Sequence, residues 1–134
     1  MDKIQLEIVT PYGAVWNGQV DEVTARGSEG EFGVLPGHAP FVTTLAIGIL
    51  SAKDGQNTSY FFINSGYAEV GPERVLILAD SAEKAESIDL ERAIAAKKRA
   101  EELLKKQENV DFAKTESALE RAVNRINLAE HLRR

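Results

Sequence analysis

Apolar and polar residues alternate from the start of the chain, with Ile4, Leu6 and Ile8 set against Gln5 and Glu7. A period of two over this length is the mark of a strand with one buried face. Pro11-Tyr12-Gly13 punctuates a turn, and Ala14-Val15-Trp16 resumes the extended pattern. Alternation returns through Val20 to Arg26, and short extended runs recur at Phe41–Leu45, Ile47–Ala52, Ser59–Asn64, Tyr67–Val70 and Arg74–Ala79. Asp54-Gly55 stands between two of these runs and reads as a hairpin turn. Strands this short at this spacing predict an all-β sandwich or barrel. No intervening segment has helical length and period, which disfavours a parallel α/β sheet.

The pattern changes at Ser87. Residues 88–134 contain neither Gly nor Pro and are rich in Ala, Leu, Glu, Lys and Arg, the strongest helix formers. Ser87 or Asp89 is placed to cap a first helix. Glu101 with Lys105 and Glu102 with Lys106 are spaced i,i+4 in the favourable orientation. The stretch Gln107 to Asp111 breaks the pattern and offers Asn109 or Asp111 as a second cap. Phe112, Thr115, Leu119, Ala122, Ile126 and Ala129 then form a narrow seam at spacings of three and four. Ala93, Ala96, Ala100 and Leu103 make a facing row on the first helix, so an antiparallel hairpin is expected. Small residues bury little apolar area, at about 25 cal/mol per Å². The hairpin is therefore weakly held, and either a permanently docked tail or a movable element fits it.

Composition sharpens the division. Residues 1–86 carry 12 acidic and 5 basic residues, whereas 87–134 carry 9 acidic and 11 basic. Eight of nine aromatics, all four prolines and all ten glycines precede residue 87. Two units are expected, a β-rich 1–86 and a helical 87–134. The net charge of −5 argues against nucleic acid as a partner. No apolar run reaches the roughly 18 residues of a membrane-spanning helix, and the start of the chain lacks the features of a secretory signal. Direct membrane insertion is not expected. With no cysteine, disulfides and thiolate metal sites are excluded.

Catalytic chemistry finds no foothold. His38 and His131 are far apart and have no metal-ligand spacing. There is no nucleophile elbow, phosphate-binding glycine loop or HExxH. No catalytic residue, metal site or required cofactor is expected.

Residues 30–40, Gly30-Glu31-Phe32-Gly33-Val34-Leu35-Pro36-Gly37-His38-Ala39-Pro40, closely resemble the signature segment of bacterial F-type ATP synthase epsilon subunits. Ile8-Val9-Thr10-Pro11, Asn64-Ser65-Gly66-Tyr67-Ala68-Glu69-Val70, Val75–Ala79 and Glu120-Arg121-Ala122-Val123-Asn124-Arg125-Ile126 resemble further segments of that family in order and spacing. The resemblance implies an antiparallel β-sandwich of about ten strands followed by an antiparallel two-helix hairpin. In residues 30–40 the glycines and prolines read as turn punctuation carrying Phe32, Val34 and Leu35. The family role implied is a non-catalytic rotor subunit of a proton-translocating ATP synthase. It sits on the cytoplasmic side of the bacterial plasma membrane, held there through the complex. The sandwich would meet the gamma subunit and the membrane c-ring. The hairpin would extend to meet alpha and beta and block ATP hydrolysis, with Lys97, Lys98, Lys105 and Lys106 suited to acidic loops on beta.

Ile88-Asp89-Leu90-Glu91-Arg92-Ala93 is similar to the ATP-binding hexamer of that family. Arg92 and Arg99, seven apart, share a helical face, as do Arg121 and Arg125, four apart. An antiparallel hairpin brings the two pairs towards each other, and guanidinium groups can grip a polyphosphate bidentately. The resemblance assigns Glu83, Ile88, Asp89 and Ala93 to the nucleoside and Arg92, Arg99, Arg121 and Arg125 to the phosphates, with ATP as a regulatory ligand. The same arginines also suit a solvated face or an acidic partner surface. A free-standing ATP-sensing module with no machine attached is the rival from another functional class.

Overall fold

In the computed structural model of the protein, residues 2–106 and 111–132 are described, Leu132 by its backbone alone. The chain divides into two compact units, Met1–Lys84 and Ala85–Arg134. The first is built of strands β1 (Ile4–Thr10), β2 (Gly13–Val20), β3 (Glu22–Gly27), β4 (Gly30–Val34), β5 (Phe41–Leu45), β6 (Gly48–Asp54), β7 (Asn57–Val70) and β8 (Arg74–Lys84). Hydrogen bonding runs β2-β1-β8-β7-β5-β3-β4, with β6 joining β3 and β7.

The long strand β7 organises this unit. Its first half, Asn57–Ile63, pairs with β6 and its second, Gly66–Val70, with β5, while β8 follows it through both. Between the halves Ser65 and Gly66 take φ of 57° and 131°, and there the strand changes partner from β6 to β5. The sheet folds back on itself, so that Trp16 of β2 meets Phe61 of β7 edge-on at 5.7 Å. Ile4, Leu6, Ile8, Val23, Leu50, Phe61, Val75 and Ile77 fill the space between the layers. Across one end, the Lys3 ammonium donates to Asp54 and lies 3.8 Å from Asp21, whose other oxygen accepts the Gly55 N–H at 2.6 Å. These carboxylates raise the Lys3 pKa above its ordinary value, the hydrogen bond to Asp54 contributing most. The expected Asp54-Gly55 turn is present, joining β6 to β7 with Gly55 at φ 63°.

The class agrees with expectation, but the described residues form eight strands rather than about ten. The runs Ser59–Asn64 and Tyr67–Val70 belong to one strand, because β8 pairs with both in one register, skipping only Ser65. Val20–Arg26 is not one strand either. The chain bends at Asp21, leaving Val20 buried in β2 while Val23 and Ala25 are buried in β3 on the opposite parity. Gly30–Val34, expected as turn punctuation, pairs with β3 as a strand. Its two glycines conceal an alternation that buries Val34 and packs Phe32 on the core. Nor is the sheet wholly antiparallel, since β1 and β8 run parallel from Gln5↔Arg74 to Val9↔Leu78.

The second unit opens with a 3-10 turn, Ala85–Ser87, followed by α1 (Leu90–Lys105) and α2 (Phe112–Leu132). Asp89, not Ser87, caps α1, its carboxylate accepting the Arg92 N–H at 3.1 Å. Asp111 does the same for α2 through the Lys114 N–H at 3.1 Å; the alternative cap, Asn109, lies outside the described residues. The helices pack with Ala93, Ala100, Thr115, Ala122 and Ala129 buried. Leu103 and Phe112, expected in the seam, are 43% and 48% exposed.

Candidate functional site

The Asp89 cap fixes where α1 begins and so sets the orientation of every side chain on it. Ile88, just before the cap, is buried, and its N–H points to the Ala85 carbonyl at 3.3 Å. Ala93 turns inward to the seam, its N–H closing the first turn on the Asp89 carbonyl at 3.0 Å. Arg92 and Arg99 point outward and are exposed. At 100° and 1.5 Å per residue they stand within about 20° of one line, about 10 Å apart along the axis.

On α2, Arg121 and Arg125 are half-buried. The later part of α1 and the earlier part of α2 line one cavity, so the helices run antiparallel. Arg92 therefore lies towards the level of Arg125. The hairpin carries two basic stripes, and the seven expected residues from Ile88 to Arg125 all belong to it. Glu83 is separate. It is the penultimate residue of β8, opposite Phe62 in register, and belongs to the first unit.

One cation was not anticipated. Lys114, seven residues before Arg121, falls within about 20° of the same line on α2. With Arg99, Ala96, Ala100, Leu103, Asp111, Thr115 and Ala118 it lines a cavity of about 400 Å³ between the helices. The floor of this cavity is fixed by Thr115, whose hydroxyl donates to the Asp111 carbonyl at 2.8 Å. Neither Arg99 nor Lys114 forms an ion pair among the described residues. The spacing Lys114–Arg121 repeats that of Arg92–Arg99, and this was the available signal in the sequence.

Elsewhere, His38 packs against Phe41 with ring centres 5.2 Å apart, and its Nδ1 lies 2.7 Å from the Ala39 carbonyl. Among the described residues no group of acidic or histidine side chains is arranged to hold a metal, and no helix is long and apolar enough to cross a membrane.

Residues 3–85 match the family model for the ATP synthase delta/epsilon chain β-sandwich domain, and residues 86–130 match that for its long α-helix domain. The ATP synthase epsilon chain of Geotalea daltonii is 52% identical over 130 residues, covering 96% of this chain and 94% of the relative. That of Trichlorobacter lovleyi is 53% identical over 131 residues with the same coverage. Among solved structures, a chain of the Euglena gracilis mitochondrial ATP synthase, seen by cryo-EM in an OSCP/F1/c-ring assembly, superposes with a TM-score of 0.81 at 28% identity. It matches over 100% of this chain and 83% of its own length.

Proposed function

The chain belongs to the ATP synthase delta/epsilon chain family, and from that membership we propose that it is the central-stalk epsilon subunit of a proton-translocating F-type enzyme. The sandwich rides with gamma on the c-ring, on the cytoplasmic side of the plasma membrane, and the chain performs no chemistry of its own. Its hairpin regulates hydrolysis. Folded, it binds ATP and permits turnover; extended, it meets alpha and beta and blocks them.

Two properties of the hairpin support the regulatory part. Its seam is made mostly of alanines, and burial of each methyl group contributes only about 1 kcal/mol. A small ligand can therefore govern whether it stays folded. Binding at a hundred times the dissociation constant stabilises the bound form by about 2.7 kcal/mol, comparable with such a seam. The observation that carries the ligand's identity is the paired basic stripes beside Ile88, Asp89 and Ala93. In this proposal Ile88, Asp89 and Ala93 meet the nucleoside, and Arg92, Arg99, Arg121 and Arg125 hold the phosphates.

The test has two parts. Affinity isolation from membranes should recover the chain with alpha, beta and gamma; a solitary monomer would point instead to a free-standing ATP sensor. Calorimetric titration of the full chain should show one ATP site, and Arg92→Ala or Arg125→Ala should weaken it about ten- to hundredfold, the worth of a charged hydrogen bond. Unchanged affinity in both variants would remove ATP binding from the proposal and leave the stalk role standing.

A further inference from the structure

We infer that the folded hairpin opens from one end: the helices separate first where α1 finishes and α2 begins, while the 3-10 turn and the last part of α2 hold as a clasp. This stands apart from the nucleotide reading, because it rests on the seam alone. Size is the first reason. Among the described residues of the second unit, Ile88 and Leu128 are the buried apolar side chains larger than alanine. Both belong to the end where α2 packs on the 3-10 turn Ala85–Ser87. Ile126, half-buried, adds apolar area to the same part of α2.

The other end is held by less. Its buried residues are Ala100 and Thr115, while Leu103 and Phe112, which the seam spacing placed there, are exposed. The cavity of about 400 Å³ interrupts the seam at this level, and walls that face a void have no atoms opposite to attract. Charge acts in the same direction. Arg99 from α1 and Lys114 from α2 line the cavity with a single carboxylate, Asp111, one oxygen of which already accepts the Lys114 N–H. Cations on opposite helices favour separation. Burial of one larger aliphatic side chain shifts an opening equilibrium by about tenfold or more, so the two ends differ in how often they open. Under the regulatory role proposed above, extension would follow the same order.

The chain has no cysteine, so a single introduced thiol reports opening around it. Ala93→Cys and Ala129→Cys place the thiol at the clasp, and Ala100→Cys and Thr115→Cys place it at the other end; all four positions are buried. In the full chain under native conditions, thiols at 100 and 115 should be labelled at least about tenfold faster than those at 93 and 129. Leu128→Ala should bring the rates together by speeding the slower pair. Ala118→Leu, which adds bulk to the cavity lining, should slow the faster pair alone. Hydrogen exchange of the unsubstituted chain should show the same order, with amides of 101–105 and 116–119 exchanging before those of 94–97 and 122–129, and this reading stands even where a variant fails to fold. Equal rates at the two ends would show that the hairpin opens as one unit, and faster labelling at 93 and 129 that it opens from the 3-10 turn. Either result overturns the proposal.

Discussion

Gly66 is the most tightly enclosed of the described glycines. A Cβ built there would lie 2.0 Å from the Leu78 carbonyl oxygen, and its φ of 131° excludes ordinary side chains. Gly66→Ala should therefore cost roughly 3 kcal/mol or more, measured by urea unfolding; a cost under about 1 kcal/mol would mean that β7 and β8 can part there. The glycine stood out in the sequence, but as a break between strands. Its structural meaning, a bend within one strand, depends on pairing with β8 that no local pattern records. Lys3 offers a second test. Asp54 and Asp21 raise its pKa, so the stability it adds is complete below the lysine's unfolded pKa and lost as pH rises through the elevated folded value. The stability difference between wild type and Lys3→Met should thus be flat near neutrality and shrink in strong alkali. A difference that instead grew with alkali would reverse the sign of that linkage.

For the elements, the helical seam was more legible than the strands. Ala93, Ala100, Thr115, Ala122 and Ala129 are buried as their spacing requires. Leu103 and Phe112 are not; they lie near the end of α1 and at the start of α2, where Leu103 lines the cavity. Periodicity reports a face; it cannot report how closely two faces approach. Strand boundaries were harder to read, since Asp21 shifts the parity by one residue and the glycines of β4 carry no side chain to alternate. Ala122 is 1% exposed, and Ala122→Leu should overpack the seam by about 1–3 kcal/mol. Its helical signal should melt at a lower temperature, and under the proposed regulatory role a destabilised folded hairpin should deepen inhibition of ATP hydrolysis in the assembled enzyme. Removal of the α2 cap by Asp111→Ala should act in the same direction, by about 1 kcal/mol.

In the molecule as a whole, the clustered sandwich core draws, among the described residues, only on those from Ile4 to Ala82. Residues 1–86 alone should therefore fold, unfold cooperatively in urea, and still join the stalk; failure to fold would show that the core needs the helices. The two-part composition was visible from charge, aromatics and glycine, whereas the parallel pairing of β1 with β8 was not, because nothing local marks contacts between the first strand and the last. That pairing has a consequence for how the protein is made. Strand β1 is synthesised before the other seven described strands, yet its partner at Arg74 follows about 70 residues later, a loop whose closure costs entropy before any contact repays it. Until then β1 and β2 form a two-stranded ribbon, marginal in water by itself. Nascent chains arrested before β8 should remain open and sensitive to protease, and those that have released it should close within milliseconds to seconds, so that the sandwich matures abruptly over the last dozen of its residues.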